Sequence, residues 1–150
     1  QSCTGWVKQG ASVEPLYHIK YAESNNGIDW KREGVVAIDY QDSNEGGICS
    51  ATINQHRNGY EMWYCHRNAF DYRTNPRNSY RIGYATSRDG IAWDRQDTHA
   101  GIDVSADGWD STMIAYPHFV RYRDTDYLFY NGNGFGASGF GVATRSGERP

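Results

Sequence analysis

With 150 residues, of which 38% are hydrophobic and 15% aromatic, the chain suits one domain with a moderate core. A net charge of −3 supplies no electrostatic footprint for nucleic acid or an anionic membrane, and no apolar run is long enough to span a bilayer, so neither partner is expected. Three cysteines, an odd number, argue against a disulfide framework and for a reducing, cytoplasmic compartment.

Gln1 rather than Met opens the chain, with no charged, apolar and small-residue leader after it, which points to a start removed upstream. Tyr17, Ile19 and Tyr21 alternate with His18 and Lys20, the period of a strand with one face buried. Residues 16–24 and 28–38 read as two strands joined by a turn at Asn25-Asn26-Gly27, where the glycine accepts a positive φ. The segment Tyr17 to Trp30 returns as Tyr80 to Trp93, with eight of fourteen positions identical at an offset of 63, and Gly139 to Thr144 is a weaker third copy. A fixed period of this length marks a stacked supersecondary unit. Between the copies, 48–56 and 60–67 flank Asn58-Gly59, a strong hairpin signal. Strands at 80–87 and 91–97 complete a set of four, and 113–122, 126–131 and 138–145 supply three more.

No window carries helical periodicity, so the fold class is all-β. Four antiparallel strands per repeat describe a β-propeller blade. The chain then holds about two and a half four-stranded blades: residues 1–40 end one, 41–104 form a complete one, and 105–150 begin another. Propellers close with about four to eight blades, so self-association into a closed ring is expected.

The first strand of a blade lies innermost, which turns 48–56 and 113–120, with the loops entering them, toward the central channel. Glu45 and Asp110 stand in those loops as candidate catalytic or sugar-binding carboxylates, unless each merely caps a turn. Arg67, Tyr116, His118, Asn131 and Asn133 surround them as candidate substrate-binding residues. Arg67 suits a bidentate clamp on a sugar hydroxyl or carboxylate, against the commoner arginine that bonds turn carbonyls. Tyr116 and His118 flank Pro117 on an inner strand where aromatic faces stack on sugar rings or pack the wall. Trp30 and Trp93 occupy equivalent repeat positions and read as packing between blades. A two-residue turn at Asn58-Gly59 sets Thr52 opposite Cys65 and leaves Cys49 on the other face, whereas a longer loop reverses that parity. His56, Cys65 and His66 lack metal-ligand spacing, and no metal or other cofactor is expected. The run Asn131 to Gly136 is glycine-rich, but no helix follows it to cradle a phosphate.

The phrases Pro15 to Ser24, Tyr60 to Tyr64, Tyr80 to Ala85, Asp110 to Pro117 and Tyr130 to Gly136 resemble the C-terminal half of a five-bladed propeller. The family is the glycosidase-like group of the arabinanase, levansucrase and invertase superfamily, related to glycoside hydrolase family 43. The resemblance covers nearly the whole chain, and it makes Ser2 to Trp6 the end of a second strand. It implies carbohydrate as the partner and a glycan-directed function: hydrolysis, transfer or binding when the propeller is complete. Hydrolysis needs two carboxylates facing across the scissile bond, and the resemblance puts the first on a blade not represented here. The chain departs from the family pattern at Ser50-Ala51, where relatives often carry Arg-Pro or Ser-Pro, and at Thr112 and Ala115, near which relatives carry an acid. The alternatives are a non-catalytic carbohydrate-binding module or an inactive propeller fragment closing as a homodimer.

Overall fold

The computed structural model describes residues 2–146, and almost all of its regular structure is strand. The chain is all-β. In order it forms β1 (Ser2–Gln9), β2 (Ser12–Lys20), β3 (Val36–Ile38), β4 (Glu45–His56), β5 (Gly59–Asn68), β6 (Arg81–Ser87), β7 (Asp94–Arg95), β8 (Ala115–Tyr122), β9 (Thr125–Asn131) and β10 (Phe140–Ser146). One-turn 3-10 segments lie at Pro76–Asn78 and Asp97–His99, and a helical turn at Asn133–Gly136 is interrupted by left-handed Gly134 and Phe135. Strands β4 to β7 pair as an antiparallel meander, as do β1 to β3 and β8 to β10. A single parallel bridge, Tyr17 to Gly47, joins the first group to the second.

The repeated phrase has a hydrogen-bonding cause. In the first copy the Ser24 hydroxyl accepts from the N–H groups of Asn26 and Gly27, while the Asn26 side-chain oxygen accepts from the N–H groups of Ile28 and Asp29. In the second, Ser87 accepts from Asp89 and Gly90, and Asp89 accepts from Ile91 and Ala92. The indole N–H then closes each turn on the glycine carbonyl, Trp30 on Gly27 at 3.2 Å and Trp93 on Gly90 at 3.1 Å. Short polar side chains thus replace backbone partners in a turn that only glycine enters cheaply. Trp93 packs against the core as expected of it, whereas Trp30 is 49% exposed.

Side-chain alternation along β5 explains how a sheet is buried on both faces. Met62 and Tyr64 pack with Ile48 and Ala85 against Ile19 and Ile38 of the first sheet. Trp63, one residue out of phase, joins Ile82 and Tyr84 against Leu128 of the third and stacks on Phe119 at 5.2 Å. A third cluster, with Tyr17, Cys49, Cys65, Tyr72, Tyr80, Met113 and Ala115, lies where all three sheets converge. Each fully buried aliphatic side chain in these layers, such as Ile48, contributes about 2 kcal/mol.

The inner strands carry matching distortions. One extra residue sits between Cys49 and Thr52 on β4 and between Ala115 and His118 on β8, with Ser50 at φ 54° and Tyr116 at φ 55°. The bulge corrects the expected pairing. The hairpin turn is Arg57-Asn58, so Thr52 faces Trp63, and the added residue then brings Cys49 opposite Cys65. Both thiols are buried and free. Close approach here also demands glycine: a Cβ on Gly46 would stand 2.5 Å from Ala69 Cα.

Candidate functional site

The convergence of the three sheets builds an aromatic basin over an arginine. Tyr17 and Tyr80, the first residues of the two repeat copies, meet hydroxyl to hydroxyl at 2.5 Å. Beneath them Arg67, 1% exposed, donates from Nε to the Tyr17 hydroxyl at 3.3 Å, from Nη1 to the Asn68 carbonyl at 2.8 Å and from Nη2 to the Pro15 carbonyl at 2.7 Å. Its guanidinium lies 3.9 Å from the Tyr72 ring centroid. No carboxylate pairs with it among the described residues. The Tyr72 hydroxyl donates to Glu14 at 2.6 Å, and that hydrogen bond, with help from Arg73, holds the Glu14 carboxyl below its ordinary range.

Toward solvent, Phe135 packs edge-on to Tyr80 at 5.6 Å and lies 6.1 Å from Tyr116. Phe135 and Tyr116 remain 40% and 41% exposed. Five non-glycine residues have a positive φ among the described residues, and four belong to this neighbourhood: Ser50, which follows Cys49; Asp71, which precedes Tyr72; and Tyr116 and Phe135 themselves. Each costs about 1 kcal/mol or more, and such backbone clusters where side chains must be aimed. Beside Phe135 opens a cavity of about 250 Å³, with Tyr72, Arg73, Asn75, Thr112 and Met113 in its wall.

Of the sequence-predicted residues, Tyr116 and Arg67 come together here, Arg67 as the buried floor and not as a clamp. The Tyr116 N–H donates to Cys65 Sγ at 2.9 Å, which pins the bulge. Asn133 and Asn131 act one step removed. The Asn133 side-chain oxygen accepts from Thr112 N–H at 2.8 Å, the Thr112 hydroxyl at 2.7 Å and Met113 N–H at 3.2 Å, and its amide donates to Gly108. Asn131 donates to the Phe135 carbonyl at 3.3 Å. Both hold the turn that presents Phe135. His118 is exposed and faces Phe129 of β9.

Glu45 is engaged elsewhere. Arg95 donates to both its oxygens at 2.7 and 2.6 Å, His66 Nδ1 approaches at 3.1 Å, and Gln41 N–H donates at 2.9 Å. Burial pushes its pKa up, but these hydrogen bonds outweigh burial and bring it down to about 2. Arg95 also grips Asp97, which accepts from the Tyr64 hydroxyl as well. Burial raises the Asp97 carboxyl, and these two donors outweigh it and hold the group below its ordinary range. Asp110, 4% exposed, accepts from the Tyr130 hydroxyl at 3.1 Å through Oδ2, while Oδ1 has no partner among the described residues. Phe135, Tyr72, Tyr80 and Arg73 escaped the sequence reading of the site. The signal for Phe135 was the spacing Asn131 to Gly136 itself, a run whose alternating glycines accommodate consecutive left-handed residues.

A larger cavity, about 890 Å³, lies at the other end of β4 to β7, beside His56, Tyr60, Glu61, Asp89 and Trp93. It contains none of the strained residues. No group of three or more metal-ligating side chains stands together among the described residues, and no helix is long and apolar enough to cross a membrane.

Comparison with solved structures places this geometry in a known architecture. A glycoside hydrolase matches with a TM-score of 0.58 at 19% identity, over 97% of this chain and 43% of its own. A BT0996 RGII complex matches with a TM-score of 0.59 at 20% identity, over 95% of this chain and 39% of its own. The fold is glycosidase-like. In sequence, the uncharacterized proteins MT1551 and Rv1502 of Mycobacterium tuberculosis are each 37% identical over 140 residues, 93% of this chain and 43% of theirs. The chain thus spans under half the length of these curated relatives. No protein-family model matches it.

Proposed function

We propose that this chain is part of a five-bladed, glycosidase-like propeller and that its aromatic basin binds a glycan. The observation that carries the reading is the exposed pair Tyr116 and Phe135, both held on left-handed backbone at the mouth of an inner-strand cluster. Aromatic faces stack on the apolar face of a sugar ring, and rigid rings lose little entropy in doing so. A shared fold alone does not assign chemistry, so the reading rests on this site.

Binding is favoured over hydrolysis by the carboxylates of the chain itself. Glu45 is a fixed anion inside an ion-pair network, with a pKa of about 2, so it holds no proton to give at neutral pH. Hydrolysis in a completed propeller stays as a second reading because of Asp110, a buried carboxylate whose Oδ1 has no partner among the described residues. The test is a panel of chromogenic glycosides run beside binding isotherms on the wild type and Asp110→Asn. Turnover lost in Asp110→Asn supports an enzyme; binding without turnover supports a module; neither turnover nor binding overturns the glycan reading.

Self-association belongs to the same proposal. Phe129, Phe140 and Val142 leave an apolar face on β9 and β10, with Phe140 75% exposed, and a second copy would cover it. Light scattering that returns a mass near twice 17.0 kDa supports this, and a monomer contradicts it.

A further inference from the structure

The cavity beside Phe135 has a charge asymmetry that sugar binding alone does not require. Among the side chains that line it, Arg73 is the only charged one, and no carboxylate faces it. Arg73 is 57% exposed; its Nε and Nη2 turn inward to Glu14 at 3.3 and 3.4 Å, while Nη1 donates to nothing among the described residues. Two further guanidiniums stand directly behind the wall. Arg67 lies against the Tyr72 ring with no acid of its own. Arg81 donates to the carbonyls of Thr112 and Pro76 at 3.1 and 2.9 Å, its acid being the solvent-exposed Asp103. Against these three cations stand Glu14, Asp103 and the exposed Asp71, which is hydrogen-bonded to the Gln9 side chain. Only Glu14 of these is buried and none of the three lines the cavity, so Arg73 is the charge that a ligand there meets.

We propose that this cavity is a subsite for an acidic sugar residue, a uronate whose ring packs on Phe135 while its carboxylate pairs with Arg73. The volume accommodates one ring and little more. With Nε and Nη2 on Glu14, Arg73 offers the uronate carboxylate a charge-assisted hydrogen bond from Nη1. A neutral sugar fits the same space but leaves the free Nη1 donor to water. The inference rests on the glycan reading and narrows it to a substrate class.

The experiment titrates the full chain with methyl galacturonoside and methyl glucuronoside, each beside its neutral galactoside or glucoside, and follows backbone amide shifts by NMR. The expected result is shifts at Thr112, Met113 and Phe135, with the uronoside bound about tenfold more tightly than its neutral partner. Arg73→Gln should abolish that preference, and Arg73→Lys should restore part of it. Melting temperatures check that both variants fold, since Arg73 also pairs with the buried Glu14. Equal affinities for the acidic and neutral members, with shifts at the cavity, overturn the uronate inference and leave glycan binding standing. Uronoside shifts confined to another surface overturn it as well. No shift with any sugar overturns the glycan reading itself.

Discussion

Two buried arginines of this molecule stand in opposite circumstances. Arg95 closes a self-contained network: its side chain, 11% exposed, is held between Glu45 and Asp97, and these in turn hold His66 and Tyr64. Arg67 has the Tyr17 hydroxyl, two carbonyls and aromatic faces around it but no carboxylate among the described residues, and exposed rings on strained backbone lie above it. The first region is complete without a ligand. The second is held open at a cost in backbone strain and charge, which is why function is assigned to it.

Removing the guanidinium from the complete network should have the largest effect. Arg95→Met leaves two largely buried carboxylates without their guanidinium and should lower stability by about 3–5 kcal/mol in urea unfolding. Acid probes the same network from the other side. Glu45 has a native pKa of about 2 against an ordinary value of 4.5. Its folded pKa is depressed, so its contribution, of order 3 kcal/mol, is present above about pH 5 and is lost as pH falls toward 2. Unfolding free energies measured between pH 6 and 3 should show this slope, and Glu45→Gln should flatten it.

Arg67→Met sharpens the contrast. It strands two carbonyls but no acid, so the expected loss is about 1–3 kcal/mol, smaller than for Arg95→Met. A loss equal to or greater than that of Arg95→Met would mean that the basin, too, is a closed structural network. The smallest change in stability is expected at Tyr116→Gly. Glycine adopts the φ of 55° without penalty, which offsets the lost ring contacts, so stability should move by less than about 1 kcal/mol while glycan affinity falls at least tenfold. Thermal melts and isotherms on the same samples check both halves.

Much of the strand order was legible because local chemistry dictates it. The repeated phrase encodes a strand, a side-chain-bonded turn and a closing Trp, all within fourteen residues, and alternation along β5 encodes burial on both faces. The hairpin register was not legible, since a bulge at Ser50 depends on how β4 meets its neighbours and has no composition of its own. For the same reason Cys49 and Cys65 read as lying on opposite faces when they face each other. The role of Glu45 was hidden by distance along the chain: its partner Arg95 is fifty residues away and carries no motif. Phe135 was hidden because its exposure follows from an Asn133 bond to the distant Thr112 loop.

The most direct measurement is a crystal of this protein soaked with an oligosaccharide mixture and read as difference density. A sugar ring should lie against Phe135 and Tyr116, with Arg67 still sealed beneath. Density confined to the larger cavity beside Tyr60 and Trp93, or no density at either place, would contradict a glycan site in the aromatic basin.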